Sequence, residues 1–114
     1  MVKKWSIYWA QLNPTRGSEQ AGRRPVLIVS NNDANEILPN VTVLPLSSIT
    51  ESAKVYPTEV FLPQDVSFLP KPSVVMIHQV RTLSKERLES LCGVIHDEEV
   101  KAQIHRTMIQ YFGL

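Results

Sequence analysis

WSIYWAQLNPTRGSEQAGRRPVLIV, Trp5–Val29, contains two strand-like segments joined by one polar loop. Trp5, Ile7 and Trp9 alternate with Ser6, Tyr8 and Ala10, the period of an extended strand with two distinct faces. Asn13-Pro14 ends that strand with a turn signal. Val26-Leu27-Ile28-Val29 is an unbroken apolar run, as expected of a strand buried on both faces. Pro25 suits its first position because it donates no ladder hydrogen bond. The loop between them, Asn13–Pro25, sets Arg16, Arg23 and Arg24 against Glu19, a local charge of +2 on a chain whose net charge is +1. A guanidinium presents several N–H donors in one plane and matches phosphate oxygens two at a time. Gly17 and Gly22 permit backbone angles that bring polar groups close to a ligand. The loop is therefore expected to meet a polyanion.

Outward from this stretch the β pattern continues. A helical turn is expected over Ala34–Leu38, a third strand over Val41–Leu46, a fourth over Thr58–Leu62 and a fifth over Ser73–Gln79. The polar loop Ser47–Pro57 separates the third and fourth. Ser84–Leu88 predicts a short helix capped by Ser84, and Glu89–Ile95 a returning strand. The period then changes: Val100, Ile104, Met108 and Tyr111 or Phe112 recur at helical spacing, with Asp97, Glu98 and Glu99 in the first turn and Gly113 as terminator. A helix of about 16 residues, roughly 24 Å long, covers one end of a small sheet. Short strands with one closing helix predict a β-rich α+β fold, a small and strongly curved barrel with helical additions.

The 114 residues suit a single domain, 1–114, with a core of its own. Lys and Arg number 12 against 11 Asp and Glu, which excludes a generally polycationic protein, so nucleic-acid binding must come from a local patch. Val2-Lys3-Lys4-Trp5 is not followed by a long apolar stretch, so neither a signal peptide nor a membrane span is expected. Cys92, the one cysteine, favours a reducing, cytoplasmic setting and reads as a packed thiol beside Leu91 and Val94. No Cys/His spacing points to zinc and no glycine-rich element to a nucleotide cofactor, so neither metal nor cofactor is expected.

GSEQAGRRPVLIVSN (Gly17–Asn31), preceded by NPTR, resembles the MazF/PemK family of toxin endoribonucleases. VTVLPLSS (Val41–Ser48) and SVVMIHQVRTLSKERL (Ser73–Leu88) agree with the family in order and distance, so the resemblance covers nearly the whole chain. It implies a small SH3-like barrel, a two-fold homodimer, metal-independent cleavage of single-stranded RNA and inhibition by a cognate antitoxin. Operator DNA enters such a system only through the antitoxin. The resemblance makes Arg24 the principal catalytic arginine and a third-strand hydroxyl its partner, Ser47 or the adjacent Ser48. The Q-x-R-T piece maps onto Gln79, Arg81 and Thr82, with His78 at a position that is often acidic in relatives.

RNA supplies its own nucleophile, the 2′-hydroxyl, so the protein has to align the phosphate and stabilise the developing charge. Guanidinium stays protonated, which suits Arg24 to electrostatic stabilisation rather than to base catalysis. Ser47 would orient the phosphate or the 2′-hydroxyl. Arg16, Ser18, Gln20 and Arg23 are read as RNA contacts or loop anchors, and Glu19 as an acceptor for a base edge or a tether for an arginine. His78 is a proton carrier if it lies in the groove, and otherwise a strand end hydrogen-bonded to backbone. The groove walls are expected at Asn13–Arg24 and Ser47–Pro57, with an acidic antitoxin tail competing for the same groove. Trp5 and Trp9 read as core or dimer packing before base stacking. The alternatives are a protein-binding toxin of the same fold, of topoisomerase-inhibitor type, and a weakened antitoxin-binding relative.

Overall fold

The computed structural model describes residues 1–50 and 52–114; position 51, inside the expected loop Ser47–Pro57, lies outside the described residues. The elements run β1 (Ser6–Gln11), β2 (Arg23–Ile28), α1 (Asn32–Ile37), β3 (Asn40–Ser48), β4 (Glu59–Leu62), α2 (Gln64–Ser67), β5 (Ser73–Met76), β6 (Arg81–Ser84), β7 (Leu88–Val94) and α3 (Glu98–Phe112). Two 3-10 turns, Ile77–Gln79 and Lys85–Arg87, flank β6. The strands pair antiparallel in the order β4-β5-β3-β2-β1-β7, and β6 joins on β3.

The nine residues of β3 organise the sheet. It pairs with β2 at Val43–Pro45, with β6 along Asn40–Val43 and with β5 along Leu46–Ser48. The change from β6 to β5 falls at Leu44-Pro45, where proline removes a donor from the ladder. A strand shared in this way curves the sheet around its core. This is the expected β-rich α+β fold, closed by a C-terminal helix.

Strand β2 is buried on both faces, as its unbroken apolar run requires. Leu27 packs with Ile7, Leu44, Leu46 and Val75 in one cluster; Val26 and Ile28 pack with Ala10, Leu12, Val43 and Leu83 in the other. Each such side chain, fully withdrawn from water, contributes about 1.5–3 kcal/mol. Helix α3 begins where Asp97 accepts from the Val100 N–H at 2.9 Å and ends at Gly113, whose φ of +72° is left-handed. Val100 and Ile104 close the first cluster, with Met108 packed against it. The expected stripe goes no further: Tyr111 and Phe112 remain 46% and 51% exposed, because the last turn carries them out to solvent. Among the described residues no helix is long and apolar enough to cross a membrane.

Three expectations need correction. The run Ser73–Gln79 is not one strand: β5 stops at Met76 and the chain enters a 3-10 turn. Between Leu46↔Val75 and Val43↔Arg81, β3 advances three residues while the other segment advances six, and the turn takes up the surplus. Strand β6 and helix α2 were not expected at all. Both are four residues long, too short for a periodic pattern to stand out. Ser84 does cap the segment after it, its hydroxyl accepting from the Glu86 N–H at 3.3 Å, but that segment is a single 3-10 turn.

Candidate active site

The loop between β1 and β2 is closed at its base. Leu12 N–H donates to the Gly22 carbonyl at 2.9 Å, and Gly22 N–H to Asn13 Oδ1 at 3.1 Å. Gly17 and Gly22 take φ of +55° and +79°, angles that a side chain strains against. Glu19 folds back on its own loop and accepts from the Arg16 N–H at 2.5 Å, so it tethers that backbone rather than the Arg16 guanidinium. Three side chains from the second half of the chain hold the loop in place. Gln79 accepts from the Gln20 N–H and donates to the Ser18 carbonyl, each at 3.2 Å. Arg81 Nη1 donates to the Leu12 carbonyl at 3.2 Å, and Arg87 Nη1 to those of Gln11 and Asn13 at 3.1 and 2.6 Å.

The two adjacent arginines have different surroundings. Arg23 forms an ion pair with Glu89 at 2.5 Å and lies over the Trp9 ring, 4.4 Å from its centroid. Arg24 donates through Nε to the Ala21 carbonyl at 3.0 Å, which fixes its plane and leaves its terminal nitrogens without a partner among the described residues. The β2–β3 pairing runs from Ile28↔Val43 to Val26↔Pro45 and stops two residues short of Arg24, while Ser47 pairs with Val74 of β5. Ser48, on the opposite face of β3 from Ser47, lines a cleft of about 520 Å³ together with Arg24. Arg23 and Arg24, with Gly22 and Pro25, line one side of that cleft; Leu69, Pro70, Lys71 and Ser73 line another, and Trp9 and Leu46 complete its apolar part. The lining carries three cations and no carboxylate. The cleft thus uses the end of the arginine loop, as expected, but its other side is mainly residues 69–73, with Ser48 contributed from the expected wall Ser47–Pro57.

Arg16 and Ser18 are exposed at the loop tip, Gln20 is half-buried, and Thr82 is exposed on β6, across from Thr42. His78 is exposed in the Ile77–Gln79 turn, away from the residues lining the cleft, so it does not end a strand. Cys92 is a packed thiol as expected: its Sγ lies 3.3 Å from the Ile7 carbonyl, and burial pushes its pKa up while Arg23 pulls the other way. Leu91, its expected apolar neighbour, is exposed instead. Trp5 packs against the first cluster and His105, whereas Trp9 lines the cleft, so the two tryptophans part company. His105 accepts from Lys4 Nζ at 3.0 Å, and partial burial, with Lys4 adding to it, lowers its pKa. Among the described residues no three His, Cys, Asp or Glu side chains converge as a metal site.

Sequence reasoning missed Lys71 and Ser73. The signal was Pro70-Lys71-Pro72, a cation between two prolines, where a residue preceding proline is confined to extended backbone.

A family model described as PemK-like, MazF-like toxin of type II toxin–antitoxin system matches residues 3–112. The endoribonuclease MazF of Staphylococcus saprophyticus is 37% identical over 101 residues, covering 89% of this chain and 83% of that protein. The crystal structure of MazF from Deinococcus radiodurans superposes with a TM-score of 0.81 at 28% identity, over 99% of this chain and 97% of that one. A MazE–MazF crystal structure from the same organism gives a TM-score of 0.77 at 25% identity, over 99% and 97% of the two chains.

Proposed function

Because the chain belongs to the PemK-like, MazF-like toxins of type II toxin–antitoxin systems, we propose that it is an endoribonuclease that cleaves single-stranded RNA without a metal. The whole chain acts as one catalytic domain in the cytoplasm. Arg24 carries the reading: its Nε is anchored on the Ala21 carbonyl and its outer nitrogens have no partner among the described residues. Such a guanidinium is poised to meet the equatorial oxygens of a phosphorane, and a donor aimed at developing charge contributes about 3–4 kcal/mol. Ser47, or the adjacent Ser48 that lines the cleft with Arg24, orients the phosphate or the 2′-hydroxyl. The 2′-hydroxyl loses its proton to solvent as its oxygen attacks phosphorus, the bond to the 5′-oxygen breaks, and the 5′-oxygen takes up a proton. The products are a 2′,3′-cyclic phosphate and a 5′-hydroxyl end.

Arg16, Ser18, Glu19, Gln20, Arg23, Ser48, Gln79 and Arg81 hold the substrate directly or through the loop. The D. radiodurans relative was solved as a MazE–MazF assembly, and an antitoxin partner is proposed for this chain on that likeness. A homodimer is proposed with it; Ile109, Tyr111 and Phe112 leave apolar surface at the end of α3 for a second copy to cover. The test is incubation of the purified protein with a long single-stranded RNA in excess chelator, followed by mapping of the ends. Cleavage at a short motif is expected, with a loss of at least about a hundredfold for Arg24→Ala. Ser47→Ala and Ser48→Ala, assayed separately, identify the hydroxyl. RNA left intact across varied sequences refutes the nuclease, and cleavage that stops with chelator refutes the metal-free mechanism.

A further inference from the structure

The cleft beside Arg24 combines two kinds of surface. Trp9, Pro25, Leu46, Leu69 and Pro70 give it an apolar lining, and Arg23, Arg24 and Lys71 line it with cations. An apolar platform edged by positive charge and without a carboxylate fits a nucleotide: the base stacks, the phosphate meets the cation. The Arg23 guanidinium lies 4.4 Å from the Trp9 ring centroid and lines the cleft with it, so the platform is itself cation-loaded.

Lys71 is held on a rigid bracket. Pro70 and Pro72 flank it, and Lys71, which precedes proline, is restricted to extended backbone. Gln64 Nε2 donates to the Pro70 carbonyl at 2.6 Å, Ile49 N–H to the Pro72 carbonyl at 3.1 Å, and Ser73 Oγ to the Lys71 carbonyl at 3.3 Å. Leu69, only 6% exposed, nails the near end into the core. Such a segment loses little backbone freedom when its side chain engages a ligand. No hydrogen bond or ion pair of the Lys71 ammonium is present among the described residues, so the charge is available at the cleft.

We infer that this cleft is a nucleotide subsite, in which a base of single-stranded RNA stacks on Trp9 and an adjacent phosphate binds Lys71. The inference rests on the nuclease reading for the identity of the ligand. It places base selection partly on residues 69–73, beside the cleavage centre, rather than wholly on the loop Ser47–Pro57.

The experiment separates the two readings. The probe is a short 2′-O-methyl RNA oligomer of random sequence, whose blocked nucleophile prevents cleavage. It is titrated into a Trp5→Phe variant, so that emission reports Trp9 alone. Quenching is expected. Lys71→Ala, an exposed change that leaves the core intact, weakens binding several-fold and lowers the slope of log affinity against log salt by about 0.7, the share of one single-strand phosphate contact. Lys71→Glu weakens binding further. Affinity and salt slope unaltered in both variants would overturn the subsite, as would a Trp9 signal that never responds to the oligomer. Quenching by an acidic peptide but not by the oligomer gives the cleft to a protein partner and equally overturns it. If wild-type protein leaves cleavable RNA intact while the Lys71-dependent quench persists, the nuclease reading falls and the binding site stands.

Discussion

Replacing Gln79 with leucine removes both ends of the amide clamp on the arginine loop while nearly preserving side-chain volume. The clamp consists of two hydrogen bonds of 3.2 Å, one from the Gln20 N–H and one to the Ser18 carbonyl. A typical intramolecular hydrogen bond contributes about 0.5–1.5 kcal/mol net, and half-burial of Gln79 argues for the lower part of that range. Two bonds then hold the loop closed by about 1–2 kcal/mol, or roughly 5- to 30-fold in its opening equilibrium. Global stability is expected to change little, since Gln79 belongs to neither core cluster. Amide hydrogen exchange reads the effect directly: the Gln20 N–H of Gln79→Leu should exchange faster by that factor while amides of β2 and β3 stay protected. Gln79→Glu keeps the acceptor for Gln20 but loses the donor to Ser18, so it should fall between the two. RNA cleavage should fall with loop closure, because Arg24 is oriented by Ala21, a residue of the same loop. An unchanged Gln20 exchange rate in Gln79→Leu would refute the reasoning, whatever happens to activity.

Gly93→Ala should destabilise the fold by about 1–3 kcal/mol in urea denaturation, because the added Cβ would stand 2.5 Å from the Ser67 backbone carbonyl, which cannot step aside as a side chain would. A midpoint equal to wild type would mean that α2 is not pressed against β7. The lowered His105 pKa carries a sign: just below its ordinary value of 6.5 the native state binds fewer protons than the unfolded chain, so stability falls as pH drops through that window. His105→Asn should therefore lose less stability than wild type over the same fall in pH, and parallel pH profiles for the two proteins would contradict the assignment.

The order of the long elements could be read from the chain because each has a pattern of its own. Alternation marks β1, an unbroken apolar run marks β2, and a helical period framed by Asp97 and Gly113 marks α3. What could not be read depends on pairing between distant residues. Nothing in SVVMIHQVRTL announces that β3 will hold β5 and β6 in registers three residues apart, which is why the apparent strand Ser73–Gln79 is a strand and a turn, followed by a strand that has no pattern of its own. The cleft shows the same limit. Lys71 and Arg24 lie far apart in sequence and line it together only because α2 and β5 return the chain beside the mouth of the β1–β2 hairpin.

The arginine loop explains why its sequence signature identifies a fold more readily than a chemistry. Most of its distinctive residues are used to build the loop: Gly17 and Gly22 supply the left-handed turns, Glu19 ties down the Arg16 N–H, and the Gln20 N–H is taken by Gln79. Even Arg23 is spent, on Glu89 and the Trp9 ring. Arg24 is the exception, since among the described residues only its Nε is used. The surrounding residues act on the reaction through the position they give that one guanidinium. Substitutions at Glu19 or Gln79 should consequently lower activity by loosening the loop, and to a smaller degree than loss of Arg24, where the charge itself disappears.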